Sequence, residues 1–316
     1  MHLVFMGTPE FAVPSLKKLA ASSHSVIGVV TAPDGKQGRG LKRFGSPVKE
    51  AATLLHLPIL QPQNLEDSVF LNQLQNWNAD CFVVAGFRIL PEIVFEMPKQ
   101  GCFNLHASLL PKYRGPAPIQ WAIIQGERET GVTTFFLKRR VDTGDIILQK
   151  KIKISDHDNS GDLHKRLALL GADLVLQTVE RIAEGNVVSF PQTGKTSAAP
   201  KITPEVCEIN WYQSAIHIHD LIRGLAPRPG AFSFWENKRL KIFQSEVVMN
   251  KEIPVQSPGS VVKAKNEDLW IQTGEHLLAI KCCQIEGKSR MMCDSFLRGY
   301  SIQTGHHLSA DNTQES

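Results

Sequence analysis

Residues 80–87 read DCFVVAGF, five apolar positions in a row behind an aspartate and closed by a glycine. A strand with one wet face alternates apolar and polar residues. This one does not, so both faces are covered, as in a parallel sheet flanked by helices. SVIGVVT at 25–31 has the same character. Around these runs lie further strand-like pieces, HLVFMG (2–7), PILQP (58–62) and GCFNLHAS (101–108). Between them stand segments with helical spacing, PSLKKLAASS (14–23), SPVKEAATLLH (46–56) and LEDSVFLNQLQNWN (65–78). That rhythm predicts βαβ units and an α/β fold: a Rossmann-like open, mostly parallel sheet with helices on both faces.

Further along, a helix at 117–127 leads to two strand-like runs, GVTTFFLK (131–138) and DIILQKKIKI (145–154). A long amphipathic helix follows over 160–185, with Ser160 as its cap and Gly185 as its stop. These close a first domain over residues 1–190. Over 191–208, Pro, Thr, Ser and Lys without periodicity read as a linker. Residues 209–308 hold one helix and then short strands with turn signals, the pattern of a small OB-like β-barrel. The polar end SADNTQES reads as a disordered tail over 309–316.

At 316 residues the chain exceeds the usual size of one domain, and 42% hydrophobic with 21% charged residues is ordinary globular composition. No run of 18 apolar residues suggests a membrane span. The N-terminus lacks a basic signal region or transit composition, which predicts a cytoplasmic protein. Six cysteines without a C-x-x-C pair suggest neither a disulfide framework nor a zinc site, and the two histidines of HIHD (217–220) face different ways on a helix, so no metal is expected. The net charge of +4 is mild, and its placement says more. Lys36, Arg39, Lys42 and Arg43 crowd the glycine-rich stretch 31–49, which reads either as a solvated surface loop or as one that orders on phosphates. Cations from Arg223 to Arg298, among them Lys238, Arg239 and Lys241, give the barrel region the charge of a nucleic-acid platform.

In open parallel sheets, ligands bind outside the carboxyl ends of the strands, near the point where strand order reverses. FNLHAS puts Asn104 and His106 at such an end, two apart and so on one side of the strand. RRVDTGDII places Asp142 in a turn just before another strand. Each feature has an ordinary reading: an N-x-H can simply bond its own loop, and Asp-Thr-Gly-Asp makes a good turn. Together, Asn104, His106 and Asp142 make a usable acyl-transfer set. MGTPEFA (6–12) carries only Gly7 and neither a G-x-G-x-x-G nor a G-K-[ST] motif, which argues against NAD or ATP as cofactor.

NLHASLLPKYRGPAPIQWAI (104–123), TGVT (130–133) and DTGD (142–145) resemble the 10-formyltetrahydrofolate-using formyltransferases, whose motif joins an Asn-x-His, a Ser-Leu-Leu-Pro loop and a downstream Asp-Thr-Gly. The resemblance implies 10-formyltetrahydrofolate as co-substrate, Asn104, His106 and Asp142 as catalytic residues, and Ser108, Leu109, Leu110 and Pro111 as the folate-binding loop. Lys138, Arg139 and Arg140 stand where relatives usually carry an acidic residue and a glycine, and suggest added phosphate contacts. VFMGTPEFAVPSL (4–16), the basic stretch 31–49, INWYQSAIHIHDLIRGLAPRPGAFSFW (209–235) and EGKSRMMCDSFLRGYSIQTGHHL (286–308) are similar to the family members that formylate the methionine on initiator tRNA for translation initiation. For this chain that implies tRNA binding by Lys36, Arg39, Lys42 and Arg43 and by the barrel, and a monomer is expected. Members acting on glycinamide ribonucleotide lack such a barrel. Those acting on an amino-sugar nucleotide have a comparable second domain, and a non-catalytic folate- or RNA-binding module is the third reading.

Overall fold

The unbroken apolar runs become the inner strands of a seven-stranded sheet in the computed structural model, which describes residues 1–37, 42–249 and 254–309. The strands are β1 (His2–Gly7), β2 (Ser25–Val30), a small separate hairpin of β3 (Gly35–Gln37) and β4 (Lys42–Phe44), β5 (Ile59–Leu60), β6 (Cys81–Ala85), β7 (Cys102–His106), β8 (Glu129–Phe136) and β9 (Ile146–Lys153). The sheet order is β5-β2-β1-β6-β7-β8-β9. Strands from β5 to β7 pair in parallel, and β8 and β9 extend the sheet antiparallel. Phe5, Phe82 and Phe103 sit fully enclosed on β1, β6 and β7, as strands covered on both faces require. The chain starts at β1, builds outward to β2 and β5, then returns to lay β6 on the other side of β1. The carboxyl ends of β1 and β6 therefore flank the switch point where an open sheet offers a crevice, and β7 lies next to β6.

The helices up to residue 183 are α1 (Val13–Ala20), α2 (Pro47–Leu54), α3 (Ser68–Asn76), α4 (Glu92–Phe95), α5 (Pro118–Ile124) and α6 (Ser160–Ala183). Local chemistry starts α2 and α3. Ser46 Oγ accepts from the Lys49 N–H with Pro47 in the first turn, and Asp67 accepts from the N–H groups of Val69 and Phe70. Phe70 and Leu74 of α3 then pack into one cluster with Phe82 and Val84.

After α7 (Pro204–Cys207) and α8 (Ala215–Leu225) come β10 (Ala231–Trp235), β11 (Lys238–Val248), β12 (Val261–Lys265), β13 (Asp268–Gln272), β14 (Leu277–Ile285), β15 (Met291–Met292) and α9 (Cys293–Gly299). The strand order is β10-β11-β14-β13-β12, with β15 on β14, and every pairing is antiparallel. Residues 306–309 reach both outer strands. The Phe234 N–H of β10 donates to the Ser309 carbonyl at 3.0 Å, and the Leu308 N–H donates to the Gly259 carbonyl, just ahead of β12, at 2.8 Å. That short segment joins the two free edges and closes the sheet around Trp211, Leu240, Ile271, Ile280 and Phe296.

The chain divides into two compact units. The first comprises Met1–Pro118, Glu129–Lys153 and His164–Pro200; the second comprises Ile119–Arg128, Ile154–Leu163 and the chain from Lys201 onward. Residues 191–200, linker-like in composition, lie within the first unit. All six cysteines are free and buried, and burial pushes their thiols up, that of Cys293 to about 11, so they pack as small apolar groups. Among the described residues no helix is long and apolar enough to cross a membrane.

Candidate active site

On β7, Asn104 stands between Val84 of β6 and Phe135 of β8, and His106 stands opposite Thr133. The His106 side chain is buried, 6% exposed, and both ring nitrogens have defined surroundings. Nε2 lies 2.8 Å from the Tyr113 carbonyl oxygen. A carbonyl can only accept, so Nε2 carries the hydrogen. Nδ1 faces Asp142, 3.9 Å from Oδ2, too long for a direct hydrogen bond and close enough for the carboxylate to hold an imidazolium. Any proton that His106 takes or gives therefore passes through Nδ1.

Asp142 arrives in the turn between β8 and β9, with φ at +52°, a conformation that Asp tolerates better than most residues. The Gly115 N–H donates to Oδ2 at 2.9 Å, and the Gln192 amide donates to the carbonyls of Asp142 and Gly144, both at 2.9 Å. The Arg114 guanidinium in turn donates to Gln192 Oε1 at 2.6 Å. Lys138 bridges the turn to Asp145 at 2.8 Å, and Thr143 Oγ1 donates to the Arg140 carbonyl at 2.7 Å. The unusual Lys-Arg-Arg lead-in thus builds an ordered turn, with Lys138 serving as one of its struts. At Gly144 a Cβ would come 1.6 Å from the Phe136 carbonyl oxygen, so no side chain fits without moving backbone. Gly144→Ala is expected to destabilise the protein by about 3 kcal/mol and to lower turnover further by displacing Asp142. Urea unfolding together with activity checks this, and a wild-type midpoint would refute it.

The Ser108–Pro111 stretch follows directly on His106. Ser108 and Leu110 are buried, while Leu109 and Pro111 are half-buried. Ser108 Oγ donates to the Lys112 carbonyl at 2.6 Å, Thr133 Oγ1 to the Ser108 carbonyl at 2.6 Å, and the Gln149 amide to the Leu110 carbonyl at 2.8 Å. These bonds fix the loop's backbone.

Asn104 and Asp142 line a cleft of about 100 Å³ whose other walls include Phe87, Arg88, Ile89, Leu90, Leu137 and Val141. Ile89 and Val141 are half-exposed or more, an apolar rim around polar groups. Neither His106 nor the Ser108–Pro111 stretch is part of this lining. The Phe87–Leu90 wall went unnoticed in the sequence. Its signal was the glycine ending DCFVVAG: Gly86 sits at φ +57°, turning the chain at the end of the strand beside the switch point.

Of the basic stretch, Lys36 lies on β3, Lys42 and Arg43 lie on β4, and Lys36 pairs with Arg43 in backbone register; Arg39 lies outside the described residues. In HIHD, the His217 N–H donates to the Ser214 cap, and His219 Nδ1 lies 3.0 Å from Ser245 Oγ. Among the described residues no group of three His, Cys, Asp or Glu is placed to hold a metal.

The family model described as "Formyl transferase" matches residues 1–179, and "Formyl transferase, C-terminal domain" matches residues 201–301, so the class of protein is a two-part formyl transferase. The methionyl-tRNA formyltransferase of Bacteroides fragilis is 43% identical over 98% of each chain, and that of Caldanaerobacter subterraneus is 45% identical over 96% of this chain and 99% of its own. The chain belongs to the methionyl-tRNA formyltransferase family. Solved structures share its fold. WlaRD, a sugar 3N-formyl transferase, superposes with a TM-score of 0.67 at 22% identity, covering 92% of this chain and 99% of its own. The methionyl-tRNA formyltransferase from Clostridium thermocellum gives 0.55 at 18% identity, over 79% of this chain and 95% of its own.

Proposed function

We propose that the protein transfers the formyl group of 10-formyltetrahydrofolate to the α-amino group of methionine on initiator tRNA, giving N-formylmethionyl-tRNA for translation initiation. The observation that carries this reading is the meeting of Asn104, His106 and Asp142 at the carboxyl end of β7, in a chain of this family.

The amine lone pair forms the new C–N bond at the formyl carbon, and the carbonyl π pair moves onto oxygen. Collapse of the tetrahedral adduct breaks the bond to the folate nitrogen, which leaves with that electron pair and takes a proton as the attacking nitrogen gives one up. Asn104, on the cleft wall, donates its side-chain N–H to the developing oxyanion, a contact typically worth about 3 to 4 kcal/mol. His106 carries the proton on Nδ1, and the Asp142 carboxylate opposite holds the charged ring. The apolar rim of Ile89, Leu137 and Val141 suits the flat ring of the donor, and the Ser108–Pro111 loop, outside that lining, is assigned to the folate by the family resemblance alone. No covalent enzyme intermediate is needed.

For the tRNA, Lys36, Arg39, Lys42 and Arg43 supply phosphate contacts, and the barrel adds a second cationic surface. The protein works in the cytoplasm as a monomer. Arg39→Ala and Lys42→Ala are each expected to weaken tRNA binding and to flatten the plot of log affinity against log salt by about 0.7 to 0.9 per lost contact. An unchanged slope would return the stretch to a solvated loop. The activity is tested by supplying 10-formyltetrahydrofolate with, in turn, methionylated initiator tRNA, an amino-sugar nucleotide and glycinamide ribonucleotide. Transfer to the tRNA is expected, and transfer to neither tRNA nor small amine would favour a binding module.

A further inference from the structure

Three consecutive residues, Tyr113, Arg114 and Gly115, touch both members of the His106–Asp142 pair. The Tyr113 carbonyl takes the Nε2–H of His106, and the Gly115 N–H gives to Asp142 Oδ2. Arg114, between them, turns away to Gln192, whose Oε1 accepts from Nη2 at 2.6 Å and from Nε at 3.2 Å. Whatever fixes this tripeptide therefore fixes His106 and Asp142 against each other. Ser197 does so through the main chain. The Tyr113 N–H donates to Ser197 Oγ at 2.9 Å, and the Arg114 N–H donates to the Ser197 carbonyl at 2.9 Å. Tyr113 needs such support, because its φ of +59° is costly for an aromatic residue and persists only where the surroundings dictate it.

Gln192 closes the arrangement from the other side. Its amide is fully used: Oε1 accepts from Arg114, and Nε2 donates to the carbonyls of Asp142 and Gly144. Turned round, the amide would set its oxygen against two carbonyls and its N–H groups against a guanidinium, so the partners admit one orientation. A ring of bonds results. Gln192 grips the Asp142 main chain, Arg114 grips Gln192, and the residue next to Arg114 grips the Asp142 carboxylate. Held at both ends, Asp142 keeps Oδ2 at 3.9 Å from Nδ1, where it supports a charged ring without capturing the proton. Released, the carboxylate is free to close on Nδ1 or to swing away, and either motion spoils proton transfer.

We propose that Gln192 and Ser197 are positioning residues that act through Tyr113–Gly115 to set the spacing between His106 and Asp142. The proposal rests on the formyl-transfer reading above. It adds to the site two residues from between the matched stretches 1–179 and 201–301. The test uses the whole protein, at a temperature where circular dichroism reports it folded, with two readouts. One is steady-state formylation of methionylated initiator tRNA; the other, which needs no substrate, is amide exchange at Gly115 by NMR. Gln192→Leu removes every bond of the amide, whereas Gln192→Glu keeps the contact to Arg114 and turns an oxygen on the two carbonyls. Each is expected to lower kcat about a hundredfold, the cost of about 1 Å of misplacement, with KM for both substrates unchanged. Ser197→Ala should lose less, since the Ser197 carbonyl still holds Arg114, and Thr196→Ala, at an exposed neighbour, should match wild type. Asp142→Asn keeps an acceptor for Gly115 but loses the charge, so adding Gln192→Leu to it should cost nothing more. Gly115 exchange should quicken about tenfold in Gln192→Leu as its acceptor drifts. Multiplied losses in the double variant would make Gln192 a general brace and overturn the proposal, as would a loss confined to KM or unchanged Gly115 exchange. Wild type that formylates no tRNA would fell the assigned reaction instead, and the exchange readout would then decide the positioning role by itself.

Discussion

His106→Ala is expected to lower turnover about a thousandfold while leaving binding of the folate donor nearly intact. The ring is buried on β7, its Nε2–H is committed to the Tyr113 carbonyl, and Nδ1 is the one nitrogen left to exchange a proton. Alanine removes that nitrogen, opens a small void and orphans the carbonyl, at a stability cost of about 1 to 3 kcal/mol. Folding and chemistry must therefore be read separately. Single-turnover formylation under conditions where circular dichroism reports a folded protein isolates the chemical step, and equilibrium titration with the donor isolates binding. His106→Asn offers a polar group in place of the ring but no proton carrier, so it should restore stability without restoring rate. Near-normal single-turnover rates in either variant would remove His106 from the mechanism.

Asn104→Ala is expected to cost about 10² to 10³ in kcat, or about 3 to 4 kcal/mol, because the lost N–H matters where charge builds on the formyl oxygen. The amide also lines the cleft, so the partition between kcat and KM is informative. A contact made only in the transition state lowers kcat and kcat/KM equally and leaves KM in place. Asn104→Asp keeps the size of the side chain but swaps a donor for a second carboxylate on the cleft that Asp142 also lines, and should be at least as slow. A loss confined to KM would assign Asn104 to ground-state binding of the donor.

The parts of the site carried by a single strand were legible in the sequence. DCFVVAGF and GCFNLHAS announce covered strands, and an N-x-H at a strand end follows from a period of two. The supports of Asp142 were not, because they come from far along the chain. Gln192 holds the turn's carbonyls, while Ser197 Oγ accepts from the Tyr113 N–H and its carbonyl oxygen accepts from the Arg114 N–H, yet both lie in a Pro-, Thr- and Ser-rich stretch with no periodicity. Composition reports how such a stretch behaves alone; hydrogen bonds to a partner 80 residues away leave no local mark. For the same reason nothing in the spacing of 119–128 and 154–163 foretold that these segments would pack with the second unit. The cleft wall at Phe87–Leu90 did leave a mark, a glycine directly after a covered strand, and such a glycine merits the same attention as the polar residues beside it.

The joining of β10 and β12 by residues 306–309 bears on how the protein is made. A growing chain emerges from the ribosome N-terminus first, so every residue of the first unit is available by Pro200, while the second unit still lacks its closing piece until Ser309 is out. During that interval two strand edges stay unpaired and open to the wrong partner. A message cut even a few codons short of that point would yield a finished formyl-transfer sheet attached to an unclosed barrel, a product that proteases and chaperones can tell from the complete one.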